Sequence, residues 1–351
     1  MGRYITRRLI ALIMVLLVVS AITFVLEHAV PGGPFDREKP LPPEIKANLE
    51  RRYHLDEPYW KQYARFLNDV MIPHLTTQPP DGSIESDYLI NVHIGPLYFL
   101  WMNFGPTISS KTRTVNDIFR QQLPVSFQLG IMAMMVAILL GIPLGILAAL
   151  KQNTMFDYMG MGLAIIGVSI PVIVLGPLMV WIFGVELKLL PPSGWGATPP
   201  YRLGFLPQSF GWEYFKYAIM PAIVLGLGSS AVIARLTRAT LLQVVREDYI
   251  RTARSKGLEE RLVITRHALK NSLIPVVTVL GPMFAALVTG TFVTELIFGI
   301  PGMGRYFVTS ITNRDYPVIM GTVLLYAFFL VVANLVVDIL YAYLDPRIRY
   351  D

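Results

Sequence analysis

Residues 247–275 read EDYIRTARSKGLEERLVITRHALKNSLIP, a charged island between two long apolar runs. Glu247 and Asp248 open the stretch, and Arg251, Arg254 and Lys256 close its first third, each charge matched to a helix dipole. The pattern predicts a short helix over residues 247–256. Gly257 ends it, because glycine is the default residue at the left-handed position after a helix. Leu258, Glu259 and Glu260 restart a second helix, with acids in its first turn and Lys270 in its last. A basic helix, a glycine swivel and a second helix admit two readings. One is a loop that orients the chain by staying inside; the other is a shape that docks into a cytoplasmic partner.

The apolar runs on either side set the class. Residues 218–234 precede the island as an uncharged run of 17, and residues 273–294 follow it, broken by Pro275 and Gly281-Pro282. Further out lie residues 9–26, 125–150, 159–185 and 318–337, each long enough to cross a bilayer. The run at 9–26 exceeds the roughly 7–15 residues of a signal-peptide core, so it reads as a retained first span. The chain has 351 residues, of which 54% are hydrophobic and only 15% charged; its mean hydropathy is +0.51. Soluble domains carry about 25% charged residues. The expectation is an all-α integral membrane fold of six transmembrane helices, with an insert between helices 1 and 2.

Charge placement gives the orientation. Arg3, Arg7 and Arg8 precede the first span, nine basic residues face four acidic ones between Arg235 and Lys270, and Arg347 and Arg349 close the chain. Six crossings put all three groups on one side, inside by the positive-inside rule. The pI near 9.4 therefore reflects topology rather than nucleic-acid binding.

The divisions expected are residues 1–27 for the N-terminus and first span, 28–114 for an extracytoplasmic segment, 115–344 for a five-helix core, and 345–351 for a cytoplasmic tail. Within 28–114, Trp60, Tyr63, Ala64, Leu67, Val70 and Met71 recur at helical spacing, predicting an amphipathic helix over 58–71 started by Pro58. Leu97-Tyr98-Phe99-Leu100-Trp101 reads as a patch dipping into the membrane interface. Val115, Ile118, Phe119, Gln122 and Leu123 form a short amphipathic entry to the second span, and Gly141 and Gly145 a small-xxx-small pattern within it.

Several chemistries are missing. There is no cysteine, hence no disulfide or thiolate metal site. No phosphate-cradling G-x-x-x-x-G-K-[ST] occurs, nor H-E-x-x-H nor G-x-S-x-G. The five histidines stand singly, so no metal site is expected; His28 beside Glu27 reads as an interfacial polar residue or as a proton or metal contact. Ionisable groups are almost absent from the spans, which argues against a self-powered carrier. Asp338 and Glu295 fall at span ends, where interfacial placement is cheap.

The order Arg251-Thr252-Ala253, Gly257, Arg266-His267-Ala268-Leu269 resembles the EAA loop of permease subunits of ATP-binding-cassette importers, in the form used by the oligopeptide, dipeptide and nickel group. Arg251 and Thr252 stand where Glu and Ala are usual, and His267 and Lys270 replace Ile and Pro, as in the peptide-group form. The resemblance extends through Pro31-Gly32-Gly33-Pro34, Tyr53-His54-Leu55, Ala149-Leu150-Lys151-Gln152-Asn153, Gly299-Ile300-Pro301-Gly302-Met303-Gly304, Asn313-Arg314-Asp315-Tyr316 and Asp345-Pro346-Arg347. It is nearest the oligopeptide B-type subunit, although residues 71–101 are longer than that pattern.

The resemblance implies a type I importer permease in a bacterial inner membrane, both termini cytoplasmic, with its EAA loop at 243–272. It implies a non-catalytic subunit that forms half of an oligopeptide pathway; dipeptide, nickel or another small solute is the alternative cargo, and a scaffold or receptor without transport the alternative class. Partners would be a second, C-type permease subunit, two ATPases that bind the ATP and Mg, and an extracytoplasmic peptide-binding protein; no cofactor is expected on this chain. The coupling residues would be Tyr249, Ile250, Arg251, Thr252, Ala253, Arg254, Ser255, Lys256, Gly257, Leu258, Arg266 and His267, with Ile250, Ala253 and Leu258 as apolar contacts to an ATPase. No residue is singled out as a substrate ligand.

Overall fold

A computed structural model describes residues 2–36, 42–110 and 112–344. The tail at 345–351, with the Asp345-Pro346-Arg347 segment, lies outside the described residues. The described residues fall into two compact units: 2–11, 124–304 and 328–344 in one, 12–123 and 305–327 in the other.

In chain order the elements are α1 (Gly2–Ala29), α2 (Pro43–Arg52), α3 (Tyr59–Met71), β1 (His74–Thr76), β2 (Ile90–Ile94), β3 (Leu97–Trp101) and α4 (Val115–Leu150). Then follow α5 (Met155–Ser169), α6 (Val172–Met179) with a π-helical continuation at Val180–Glu186, α7 (Trp212–Val244) and α8 (Asp248–Ser255). The chain ends with α9 (Glu260–Leu262), a π-helical turn at Val263–Ala268, α10 (Leu269–Ser272), α11 (Ile274–Val288), α12 (Phe292–Ile297), α13 (Gly304–Asn313) and α14 (Tyr316–Leu344). By length and composition α1, α4, α7 and α14 can each cross a membrane, and two bent pairs raise the number to six if each is one span. Leu9, Ile13, Val18, Ile22 and Val25 of α1 stay exposed, as lipid-facing side chains do.

The boundaries depart from the hydropathy pattern where local backbone chemistry takes over. The expected span at 159–185 is broken at Pro171, where the helix axis bends by 100°. Ile170 is extended, at φ −89 and ψ 113, because a residue before proline is driven out of the helical region. The expected entry and second span are one helix of 36 residues, with Pro124 and Pro143 inside it. Likewise α7 does not stop at Ala234: it runs for 33 residues, carrying Arg235 and Arg238 beyond the apolar run. The span expected at 273–294 ends at Val288, and Gly290 at φ +107 turns the chain into α12.

Between α1 and α4 the all-α expectation needs one correction. Leu97 to Trp101 is the central strand of a small antiparallel sheet, ordered β1-β3-β2, with His74 and Asn91 both paired to Leu100. The aromatic residues of β3 and the β-branched residues of β2 favour a pleated, half-buried surface, and Gly95 supplies the φ of +62 that the two-residue hairpin loop before β3 needs. The helix expected at 58–71 forms as α3 with Pro58 at its N-cap. Trp60, assigned to its packed face, is 73% exposed; Val70, on that expected face, is buried, and Gln62 is buried with it. Gln62 satisfies its amide by donating to the carbonyls of Leu55 and Glu57.

In the larger unit, Val125, Leu129 and Ala133 of α4 pack with Met220, Val224 and Leu225 of α7, Leu287 of α11, Phe298 and Ile300. Small residues let α4 and α7 approach closely, as in membrane helix pairs generally. A Cβ on Gly145 would stand 2.6 Å from the Ala234 carbonyl oxygen, and one on Gly141 2.7 Å from Ile233 Cβ. The small-xxx-small pattern therefore marks a real helix contact. Replacing Gly145 by valine forces the two backbones apart and is expected to cost about 1–3 kcal/mol, read as a lower thermal midpoint of the purified protein in detergent. An unchanged midpoint would show that the contact bears no load.

Candidate functional site

The basic island folds as its charges require. Glu247, extended at φ −67 and ψ 149, precedes α8, and Gly257 at φ +75 follows it. The Gly257 N–H donates to the Arg254 carbonyl at 2.9 Å. Arg254 clasps Glu260 across this turn, Nε to Oε2 at 3.0 Å and Nη2 to Oε1 at 2.7 Å. That hydrogen bonding pushes the Arg254 guanidinium above its ordinary range. After Glu260 the second helix is interrupted by the π-helical turn, which carries Arg266 exposed and His267 half-buried.

The two faces of α8 differ sharply. Ile250 is 0% and Ala253 7% exposed, both buried in a cluster with Ala149, Leu241, Val263, Ile264 and Ala268, and Leu258 is packed against it. The side chains of Ile250 and Ala253, expected as apolar contacts to an ATPase, are turned into the chain's own core. An amphipathic helix beside apolar neighbours of its own chain buries its apolar stripe there first. The outward face is Tyr249, Arg251, Thr252, Arg254 and Ser255, continued by Lys256 and Gly257. Asn271 Nδ2 donates to Tyr249 Oη at 2.8 Å, and Thr240 Oγ1 to the Ser272 carbonyl at 2.8 Å, tying α8 to α10 and α10 to α7. Beside α8 lies an open depression of about 570 Å³ lined by Ala239, Leu242, Gln243, Arg246, Glu247 and Asp248. The arrangement is an exposed polar face on a helix whose apolar side is packed into its own chain.

Two buried carboxylates were not legible as paired groups in the sequence. Asp157, 3% exposed, accepts Arg238 Nε on Oδ1 and Nη2 on Oδ2, each at 2.7 Å, and the Asn153 N–H at 3.0 Å. This bidentate pair joins the first turn of α5 to α7 just before the island. Glu295, expected at an interface, is 2% exposed. Ser126 Oγ donates to its Oε1 at 2.7 Å, the Gly304 N–H to its Oε2 at 2.8 Å, and the Met303 N–H to Ser126 Oγ at 2.7 Å. A Cβ on Gly302 would collide with Glu295 Cδ at 2.3 Å, which explains the glycines of that loop. A position at a span end gives each acid its depth; only the folded chain gives it a partner. Asp338 is salt-bridged to Arg8 at 2.6 Å.

Removing one member of a buried pair leaves a charge unmatched. Asp157→Asn is expected to lower stability by on the order of 3 kcal/mol, and Arg238→Lys by less, since lysine keeps the charge but loses the fork. Thermal unfolding of the purified variants measures both, and equal midpoints for wild type and Asp157→Asn would contradict the role given to this pair.

Comparison with known proteins follows the same lines. Residues 141–350 match the model of the binding-protein-dependent transport system inner membrane component, and residues 1–82 that of the N-terminal part of such membrane components. The dipeptide transport system permease protein DppB of Bacillus subtilis (strain 168) is 40% identical over 349 residues, covering 99% of this chain and 98% of that protein. The oligopeptide transport system permease protein OppB of Salmonella typhimurium is 38% identical over 350 residues, covering all of both. Among solved structures, an inward-facing MetNI methionine ABC transporter chain is 14% identical, with a TM-score of 0.49 over 64% of this chain and 94% of that one. The chain belongs to the family of binding-protein-dependent transport system inner membrane components, the permease subunits of ATP-binding-cassette importers.

Proposed function

We propose that this chain forms half of the translocation pathway of an ATP-driven oligopeptide importer and receives its energy through the outward face of α8. The observation that carries the reading is full-length similarity to peptide permeases. The second half of the pathway is a C-type permease subunit, peptide is delivered by an extracytoplasmic binding protein, and ATP and Mg sit on two cytoplasmic ATPases. Both termini and the 243–272 loop are cytoplasmic in this scheme. No nucleotide or other cofactor is held by this chain.

Mechanically, Tyr249, Arg251, Thr252, Arg254, Ser255 and Lys256 seat in an ATPase, with Gly257, Leu258, Arg266 and His267 shaping the return. Ile250 and Ala253 act from beneath, holding α8 to α7 and to the turn before α10. When nucleotide binding moves the ATPase, α8 cannot slide without dragging those helices, because a packed interface switches between discrete arrangements rather than stretching. Motion then enters α11 through α10. Peptides present a main chain at every residue, so a pathway with few charges suits many sequences.

A dipeptide cargo is the second reading, favoured by the 40% identity to a dipeptide permease. Proteoliposomes holding the co-purified complex and its binding protein decide between them. Saturable, ATP-dependent uptake of a pentapeptide supports the first, and uptake confined to dipeptides supports the second. ATP-dependent uptake of neither would overturn both.

The coupling role has its own test at Gly257. Proline cannot adopt φ +75 and has no N–H for the Arg254 carbonyl, so Gly257→Pro is expected to abolish uptake while leaving membrane insertion intact. Gly257→Asn, which tolerates the left-handed region, retains a substantial part. Wild-type uptake by Gly257→Pro would remove α8 from the coupling path.

A further inference from the structure

The far end of α1 carries a carboxylate that the fold leaves without a partner. Glu27 is 8% exposed, and neither of its oxygens has a hydrogen-bond partner; nor has Nε2 of the adjacent His28. Asp315 lies close enough to act on Glu27 electrostatically, and its own oxygens accept the N–H groups of Ile108 and Ser109 at 3.1 and 2.9 Å. Two acids therefore share this region.

Glu27 lines a cavity of about 130 Å³ walled by the rings of Phe24, Tyr53, Phe66, Phe104 and Tyr316. The cation that lines the same space, Arg65, is already held by Glu57, Nη2 lying 2.9 Å from Oε1 and 3.2 Å from Oε2. His54 faces Arg65 at 3.2 Å. His28 is fixed by its Nδ1 contact of 2.8 Å to the Phe24 carbonyl and by ring contacts of 4.2 Å to Phe24 and 5.0 Å to Tyr316. The acid left without a cation or a donor is Glu27.

A carboxylate taken out of water is costly unless it is paired. A hard metal ion would require several oxygen ligands, and among the described residues no group of three or more His, Cys, Asp or Glu is placed to hold one. Aromatic faces around a carboxylate instead favour an organic cation, drawn by the ring quadrupoles as well as by the charge. A space of this size takes a headgroup and a short stem, well below the roughly 300–1,000 Å³ of a drug-sized pocket. We infer that this cavity receives a primary ammonium group on a slim aliphatic stem, paired with Glu27 and flanked by the aromatic rings. Its source is either the free amino terminus of a peptide, a possibility that rests on the importer reading, or a lysine side chain.

The test is direct binding without ATP, so that failure of transport and failure of this site are separate results. Calorimetry on the full-length chain in its membrane complex, held in lipid nanodiscs, uses n-butylammonium as probe and n-butanol as control. Saturable binding of the ammonium alone is expected, weakened roughly tenfold or more in Glu27→Gln, the loss that goes with one charge-assisted hydrogen bond. Phe104→Leu keeps the carboxylate and removes one ring face, and is expected to weaken binding by about threefold. Competition by trialanine but not by N-acetyl-trialanine assigns the site to peptide amino termini; competition by Nα-acetyl-lysine amide alone assigns it to lysine. Absence of saturable butylammonium binding, equal affinity in Glu27→Gln, or competition by neither amine overturns the assignment. Should Glu27→Gln fail to insert, unchanged affinity in Phe104→Leu overturns it equally.

Discussion

Burial of Ile250 is the contact on which the placement of α8 depends. A short helix of eight residues is too brief to persist on its own in water, and its outward face is charged. What holds α8 in place is the apolar stripe beneath it, where Ile250 meets Leu241 and Val263, each 0% exposed. Without that stripe the basic residues would belong to a solvated loop whose movements stop at its ends. With it, α8 is packed on the end of α7 and on the turn leading to α10.

The same contact shows why the sequence was easier to read for elements than for faces. The order of charges around Gly257 foretells a helix, a left-handed residue and a second helix, because dipole matching and glycine conformation are local effects. Which side of α8 turns inward is not local. Ile250 and Ala253 look equally suited to a partner protein or to the chain's own core, and the choice falls to Ala149 and Leu241, remote in sequence. Hydropathy located the apolar runs for a similar reason, yet missed their ends. Lipid solubility and helical hydrogen bonding are separate requirements, so α7 continues past Ala234 while the run at 159–185 breaks at Pro171. The sheet escaped because Leu97 to Trp101 is an apolar run of five, equally at home in an interface or between two strands.

Scarcity of charge in the spans gives the acids their significance. A carboxylate within an apolar bundle is costly unless donors surround it, and three of the buried acids meet that need with donors far apart in sequence. Asp157 brings the start of α5 to Arg238 of α7. Glu295 gathers Ser126 of α4 and the Gly304 amide, so the glycine-rich loop before α13 is pinned to a membrane helix by one side chain. Asp315 collects two backbone amides of the segment that leads into α4. These acids act as fasteners rather than as relays, since their oxygens are occupied by donors with no proton to pass on at neutral pH. Each of these three carboxylates therefore holds remote segments together through donors supplied by its own chain.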